Sequence, residues 1–486
     1  MMLKFFKKNT FLILILLLTF FLRLPSLFEP YWYGDEGVYL TVGLGLRKGL
    51  FLYKDIFDNK PPLIYLLAAA AGNLFWFRFF LLISCLGSII FFFQIVKIFF
   101  PKNYLAQKAS ILTFSTLSSI PLIEGNIANA EIFQILPILV AIYLIFRILK
   151  TKNPPKNDFF LAGILFSLAV LFKIPAFFDF LAFLLFLVFY FTPKKIFPLL
   201  IFLGAGFLLP ILLTFLYFFG HHYLKEFIQI TFFQNLGYLS SWQTGSHQIS
   251  LLKSGLVQKS LFLGLILLLI FFKRKKFSSK WSLLTQIWFL FSLFAATLSG
   301  RPYAHYLIQV LPSFCLLLGD FIANTNFTRW SIFLLMTLLS AQIAKTRYWV
   351  YPVFSYYQNF FQFVLKTKSL NEYFSFFDKK VPQTYEISSY LATYTRPTDK
   401  IFIWADEPYI LALSSRLPSG RFTVAYHIID FDKFAETEEA LRKNWPQIIV
   451  FDLSKKGIFP GLESIISVKY YLTRKVSNFE IYRLTK

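Results

Sequence analysis

The sequence predicts a multi-spanning α-helical membrane protein that ends in a small α/β domain. Three observations carry this. Of 486 residues, 57% are hydrophobic and 21% aromatic, only 15% are charged, and the mean hydropathy is +0.59; a soluble domain carries about 25% charged residues. Eleven apolar runs approach the roughly 20 residues that cross a hydrocarbon core of about 30 Å. Composition then shifts, because residues 345–486 hold 14 of the 25 acidic residues.

The runs lie near 11–28, 74–100, 109–123, 131–149, 159–173, 175–192, 197–218, 254–272, 281–298, 306–323 and 329–344. The first follows Lys4, Lys7 and Lys8 without a small-residue cleavage site, so it reads as a retained span rather than a signal peptide. A net charge of +24 on a soluble chain would point to nucleic acid. Here the positive-inside rule accounts for it, and no nucleic-acid partner is expected. With the N-terminus inside, the cytoplasmic loops hold Lys102, Lys108, Lys150, Lys152, Lys156, Lys194, Lys195, the Lys273–Lys276 cluster, Lys280 and Arg329. The short outer loops at 124–130 and 299–305 hold one basic residue, Arg301. An odd span count places the C-terminal segment outside, giving a multi-pass cell-membrane protein with a cytoplasmic N-terminus.

Three segments are expected: a transmembrane domain over 1–344, an aromatic interfacial linker over 345–380, and an extracytoplasmic α/β domain over 381–486. In the last, Lys400–Trp404 and Ile448–Phe451 read as strands and Phe434–Asn444 as an amphipathic helix. Val468–Thr473 and Phe479–Leu484 read as a hairpin around Ser477-Asn478. Cys85 and Cys315 sit inside apolar runs and imply no disulfide scaffold. With five His, little is left for a metal site; none is expected, and no cofactor.

Charge beside a membrane is costly and therefore informative. Five of the eleven acidic residues before 345 fall in the first outer loop (29–73): Glu29, Asp35, Glu36, Asp55 and Asp58. Between them 36–48 has helical spacing, and 61–71 fits a second short helix with Pro at its start. Asp35-Glu36, flanked by aromatics at a helix start, suits a general base aimed into a cavity. The plainer reading is that the pair caps that helix. Nothing in the sequence matches a phosphate-cradling glycine loop or a nucleophile elbow.

The loop continues as Gly49-x-x-x-Tyr53-x-Asp55, then Asp58-x-Lys60-Pro61-Pro62. An apolar first span, an outer-loop Asp-Glu pair and this Lys-Pro-Pro segment resemble the polyprenyl-phosphate-dependent glycosyltransferases of the GT-C fold. The nearest branch is the bacterial protein-mannosyltransferase and aminoarabinose-transferase-like group, similar to glycosyltransferase family 39. Residues 299–306, Ser-Gly-Arg-Pro-Tyr-Ala-His-Tyr, resemble another recurrent segment of that group.

The resemblance implies sugar transfer from a polyprenyl-phosphate-linked donor to an acceptor protein, cell-wall glycan or glycolipid on the outer side, within membrane lipid. It makes Asp35 the catalytic carboxylate, with Glu36 the runner-up. A second family acid maps to the 123–131 segment, where Glu124 and Glu131 compete and Glu131 fits the acidic-aromatic pattern better. Lys60 occupies the position of the family's phosphate-contacting lysine; snorkelling at the interface is its plainer role. If 301–306 opens the tenth span, Arg301 and His305 share one helical face. Arg301 would then grip phosphate bidentately and His305 would donate to it. Lys173 is a further candidate contact. Two other functions compete: a polyprenyl-lipid flippase or transporter, which should show matched halves and mid-membrane charges, and a non-catalytic envelope-assembly protein.

Overall fold

The computed structural model describes residues 2–148, 155–190, 193–235 and 255–485. Lys150 and Lys152, which the sequence reading puts in a cytoplasmic loop, lie outside them. Each apolar run holds a helix, because in lipid a backbone must satisfy its own hydrogen bonds. The helices are Met2–Arg23, Leu74–Phe99, Tyr104–Leu117, Ala130–Phe133 continued by Ile135–Ile148, Lys156–Phe172, Phe177–Tyr190, Pro193–Gly220, Gly255–Lys273, Lys280–Ala296, Leu311–Ala323 and Asn326–Thr346. Among the described residues, six stretches are long and apolar enough by themselves to cross a membrane. The chain is a multi-pass membrane protein.

Two runs differ from expectation. The 109–123 run begins earlier, at Tyr104, where the Asn103 side chain accepts from the Ala106 N–H at 3.0 Å. It stops at Leu117, before Ser118-Ser119, and Glu124 follows in the left-handed region at φ +61°. The tenth span opens later than expected. Gly300 at φ +69° and Pro302 block a helix there, so 301–306 does not start the span; a 3₁₀ turn covers Ala304–Ile308 and the helix runs Leu311–Ala323. Arg301 and His305 therefore do not share an α-helical face.

The chain forms two compact units. The first comprises residues 1–24 and 80–353. Two of its interior carboxylates are hydrogen-bonded, which offsets the cost of polar groups away from water: Trp288 and Gln309 both donate to Asp179, at 2.5 and 2.6 Å, and Ser282 donates to Asp320 at 2.8 Å.

The second unit joins residues 25–79 to 354–486, a division that does not follow the linear segments read from the sequence. Its sheet has the order β2-β1-β3-β5-β4, from β1 (Lys400–Trp404), β2 (Leu417–Pro418), β3 (Ile448–Asp452), β4 (Tyr470–Val476) and β5 (Phe479–Leu484). β1 lies parallel to β2 and β3, and β5 runs antiparallel to β3 and β4. β3 is buried along its whole length, as expected of a strand covered on both faces. Val468 and Lys469 end the helix Pro460–Lys469, so the hairpin begins two residues later than expected. Ile401, Ile403, Ile448, Val450, Phe479 and Ile481 pack with Ile387, Leu391 and Leu411 as its core.

The first loop is stitched to this sheet domain. Thr41 donates to Pro408 O at 2.9 Å, the Phe57 N–H to Arg421 O at 2.9 Å, and Arg421 Nη1 to Tyr53 O at 3.1 Å. A Cβ at Gly37 would sit 2.9 Å from both Pro408 Cγ and Tyr409 N, so only glycine lets the helix Gly34–Arg47 approach this closely.

Candidate functional site

In the second unit, Asp35 is the second residue of the helix Gly34–Arg47. Tyr33 occupies the cap position and its side chain makes no cap hydrogen bond. The Asp35 carboxylate benefits from the positive helix end. Lys60 Nζ donates to Asp35 Oδ2 at 3.1 Å, and Tyr39 OH, one turn along, donates to the same oxygen at 3.1 Å. The Asp35 and Lys60 side chains are 27% and 19% exposed, so the pair is reachable from solvent. Burial pushes the Tyr39 phenol well up and keeps it a donor.

Lys60 is held by its backbone as well. Its N–H donates to Tyr65 OH at 3.0 Å, and Tyr53 OH donates to its carbonyl at 2.7 Å. Tyr65 OH donates onward to Asp58 Oδ2 at 2.8 Å. His427, from the short helix Ala425–Asp430, brings Nε2 to 3.5 Å from Asp58 Oδ1, and burial pushes its imidazole down to about 4.

Glu36 has a different environment. It is 2% exposed, and Arg78 grips both its oxygens, Nε to Oε1 at 2.8 Å and Nη2 to Oε2 at 2.5 Å. Arg78 also pairs with Glu29 at 2.9 Å, and Tyr356 OH donates to Glu29 at 2.6 Å. A carboxylate clamped bidentately inside apolar surroundings is poorly placed to take a proton from a substrate.

The first unit gathers the remaining candidates. His305, buried in the 3₁₀ turn, places Nδ1 2.7 Å from Glu124 Oε2 and Nε2 3.3 Å from Glu131 Oε1. Glu131 also pairs with Lys173, whose ammonium lies 4.2 Å from the Tyr306 ring centroid. Asn129 donates to Glu124 at 3.1 Å. The two acids that compete in the sequence thus flank one imidazole. Arg301 is half-buried on the preceding turn, its N–H donating to Ser299 Oγ at 3.2 Å. Among the described residues no group of three His, Cys, Asp or Glu is arranged to hold a metal ion.

Sequence reasoning misses several members. Tyr39 was findable, four residues from Asp35 on one helix. Tyr53 stands in the Gly49–Asp55 motif, but its bond to the Lys60 carbonyl does not show in the sequence; Tyr65 and His427 carry no local signal, since each matters only through a partner that the fold supplies.

No family model matches the chain, and no curated protein matches it. Among solved structures it is similar to ArnT from Cupriavidus metallidurans bound to undecaprenyl phosphate, with TM-score 0.59 and 11% identity over 98% of each chain. Apo ArnT from the same organism gives TM-score 0.54 at 11% identity, again over 98% of each chain. A weaker likeness, TM-score 0.48 at 13% identity over 99% of this chain and 75% of the other, is to the oligosaccharyltransferase AglB from Archaeoglobus fulgidus in complex with an inhibitory peptide and a dolichol-phosphate. At these identities the likeness is one of architecture, and the chain has the GT-C membrane fold with a small C-terminal sheet domain.

Proposed function

We propose that this chain is an inverting membrane glycosyltransferase that moves a sugar from a polyprenyl-phosphate-linked donor to an acceptor hydroxyl on the extracytoplasmic side. The observation that carries the reading is the Asp35–Lys60 pair: a half-exposed carboxylate and an ammonium 3.1 Å apart at a helix start. The whole-length likeness to ArnT bound to undecaprenyl phosphate supports the donor class.

The chemistry needs two things. The acceptor oxygen attacks the anomeric carbon while the bond from that carbon to the phosphate oxygen breaks. The hydroxyl proton goes to a base, and the electron pair leaves with polyprenyl phosphate. Asp35 takes the proton, aimed by Tyr39. Lys60 stabilises the charge that grows on the departing oxygen. A single displacement by one base inverts the anomeric centre. Arg301 is proposed as a further phosphate contact. Glu124, His305, Glu131 and Lys173 are proposed as a charged cluster whose role is electrostatic.

Protein in lipid nanodiscs, given labelled polyprenyl-phosphate sugar and candidate peptide, glycan and lipid acceptors, should form labelled product, and Asp35→Asn should not. Movement of label across a vesicle without transfer would establish the flippase reading instead. The orientation is tested by a reporter that works only in the cytoplasm, fused after Lys486; it should stay silent.

A further inference from the structure

We propose that His427, contributed by the C-terminal sheet domain, is a positioning residue for Lys60, acting through Asp58 and Tyr65; the inference rests on the transferase reading above. The path is one polar contact followed by two hydrogen bonds. His427 Nε2 faces Asp58 Oδ1 at 3.5 Å, Tyr65 OH donates to Asp58 Oδ2 at 2.8 Å, and the Lys60 N–H donates to Tyr65 OH at 3.0 Å. From there the Lys60 side chain reaches Asp35.

Direction gives the path its meaning. The Tyr65 hydroxyl gives its proton to Asp58 and accepts from the Lys60 N–H, so Asp58 fixes the direction in which the hydroxyl lone pairs face Lys60. Asp58 in turn must keep its carboxylate plane fixed. It is 2% exposed and Tyr65 is fully buried, so a misdirected oxygen or proton cannot be rescued by bulk water. The Asn59 N–H donates to Oδ1 at 2.8 Å, and the imidazole nitrogen faces the same oxygen from 3.5 Å as a longer polar contact on that side. His427 is itself 5% exposed and fixed by edge contacts to Phe57 and Tyr426, ring centroids 5.2 and 4.6 Å away. Burial keeps its ring neutral, and since Nδ1 meets no hydrogen-bond partner, the ring hydrogen is assigned to Nε2, toward the carboxylate.

The test uses the full chain in nanodiscs and a labelled polyprenyl monophosphate. His427→Phe should weaken its retention and raise the donor KM by roughly ten- to a hundred-fold, the scale of a small misplacement of a charged group, and leave the acceptor KM unchanged. His427→Gln, which keeps an N–H donor, should recover most of the loss. Tyr65→Phe cuts the same path with little change of volume and should reproduce the effect without adding to it. In a Lys60→Ala background His427→Phe should do nothing further. An equal loss in that background, or an unchanged donor KM with less folded protein, overturns the inference and makes His427 a packing residue. If Lys60→Ala weakens retention and both His427→Phe and Tyr65→Phe are silent, the inference alone falls. A wild-type protein that retains no polyprenyl monophosphate overturns the transferase reading and this inference with it.

Discussion

Lys60 Nζ donates to Asp35 Oδ2 at 3.1 Å, so the proposed base and the proposed phosphate cation are each other's partners. A donor phosphate must therefore compete with Asp35 for the ammonium, and winning that competition releases the carboxylate to take a proton. Asp35→Asn removes the competitor as well as the base. Transfer should fall by about 10²–10⁴-fold, whereas retention of labelled polyprenyl phosphate should hold or tighten. Lost retention in a folded Asp35→Asn variant would contradict this arrangement.

Glu36 and Arg78 should respond as a structural pair. Breaking a buried ion pair by removing one partner costs up to about 3–5 kcal/mol; these two side chains are 2% and 0% exposed, and Arg78 keeps Glu29 as its remaining partner. Glu36→Ala should lower the melting temperature and the folded yield, and the surviving folded fraction should keep its turnover. A stable Glu36→Ala protein without activity would move the base from Asp35 to Glu36.

For Arg301 the conservative change is the informative one. If its guanidinium grips phosphate with two parallel hydrogen bonds, Arg301→Gln should weaken donor retention by about ten- to a hundred-fold, the equivalent of about 1.5–3 kcal/mol for a charge-assisted contact. Arg301→Lys should recover only part, because an ammonium lacks the planar fork. Full recovery by Lys would mark a simple interfacial anchor.

The buried imidazole of His427 makes stability depend on pH. Its ordinary value is 6.5 and burial takes it to about 4, against the attraction of Asp58, Asp35 and Asp406 and together with the repulsion of Lys60. Between those values the unfolded chain binds more protons, so stability rises with pH. It is intact above about 6.5 and is lost as pH falls toward about 4, by an amount on the order of 3 kcal/mol. Melting curves from pH 7.5 to 4.5 should show this slope, and His427→Gln should flatten it. Parallel slopes for both proteins would assign the effect to other groups.

Gly37→Ala probes the seam between the loop helix and the sheet domain. A new Cβ 2.9 Å from the Tyr409 backbone has no soft side chain to push aside. Overpacking of this kind costs typically about 1–3 kcal/mol, readable as a lower melting temperature. An unshifted melting temperature would mean that the seam gives way cheaply.

The membrane helices are legible in the sequence because lipid leaves an apolar run one option, and the central strands because Ile401–Trp404 and Ile448–Phe451 are continuous apolar blocks. Breakers decide what is misread. Gly300-Arg301-Pro302 already argues against a helix at the tenth span, and the polar Lys108 and Gln107 hide the first turns of the helix Tyr104–Leu117. Asp35 and Lys60 are legible through motif and spacing. The bidentate Arg78–Glu36 pair and the Glu124–His305 contact are not, since 42 and 181 residues separate the partners and no local periodicity encodes such meetings. The two-residue strand Leu417–Pro418 is too short to leave a pattern.

The joining of residues 25–79 to 354–486 has a consequence for how the protein is made. Residues 80–353 intervene, and at roughly 5–20 residues per second their synthesis takes on the order of 15 to 55 s. Throughout that interval a nascent chain carries Asp35 and Lys60 without Pro408, Arg421 or His427 to seat the loop. A polypeptide truncated anywhere in the membrane segment would then lack the partners of its first loop, and the ordering of that loop would report on the delivery of the last domain. Seating of the first loop becomes a late event of biogenesis, reached only when two distant stretches of one chain have met.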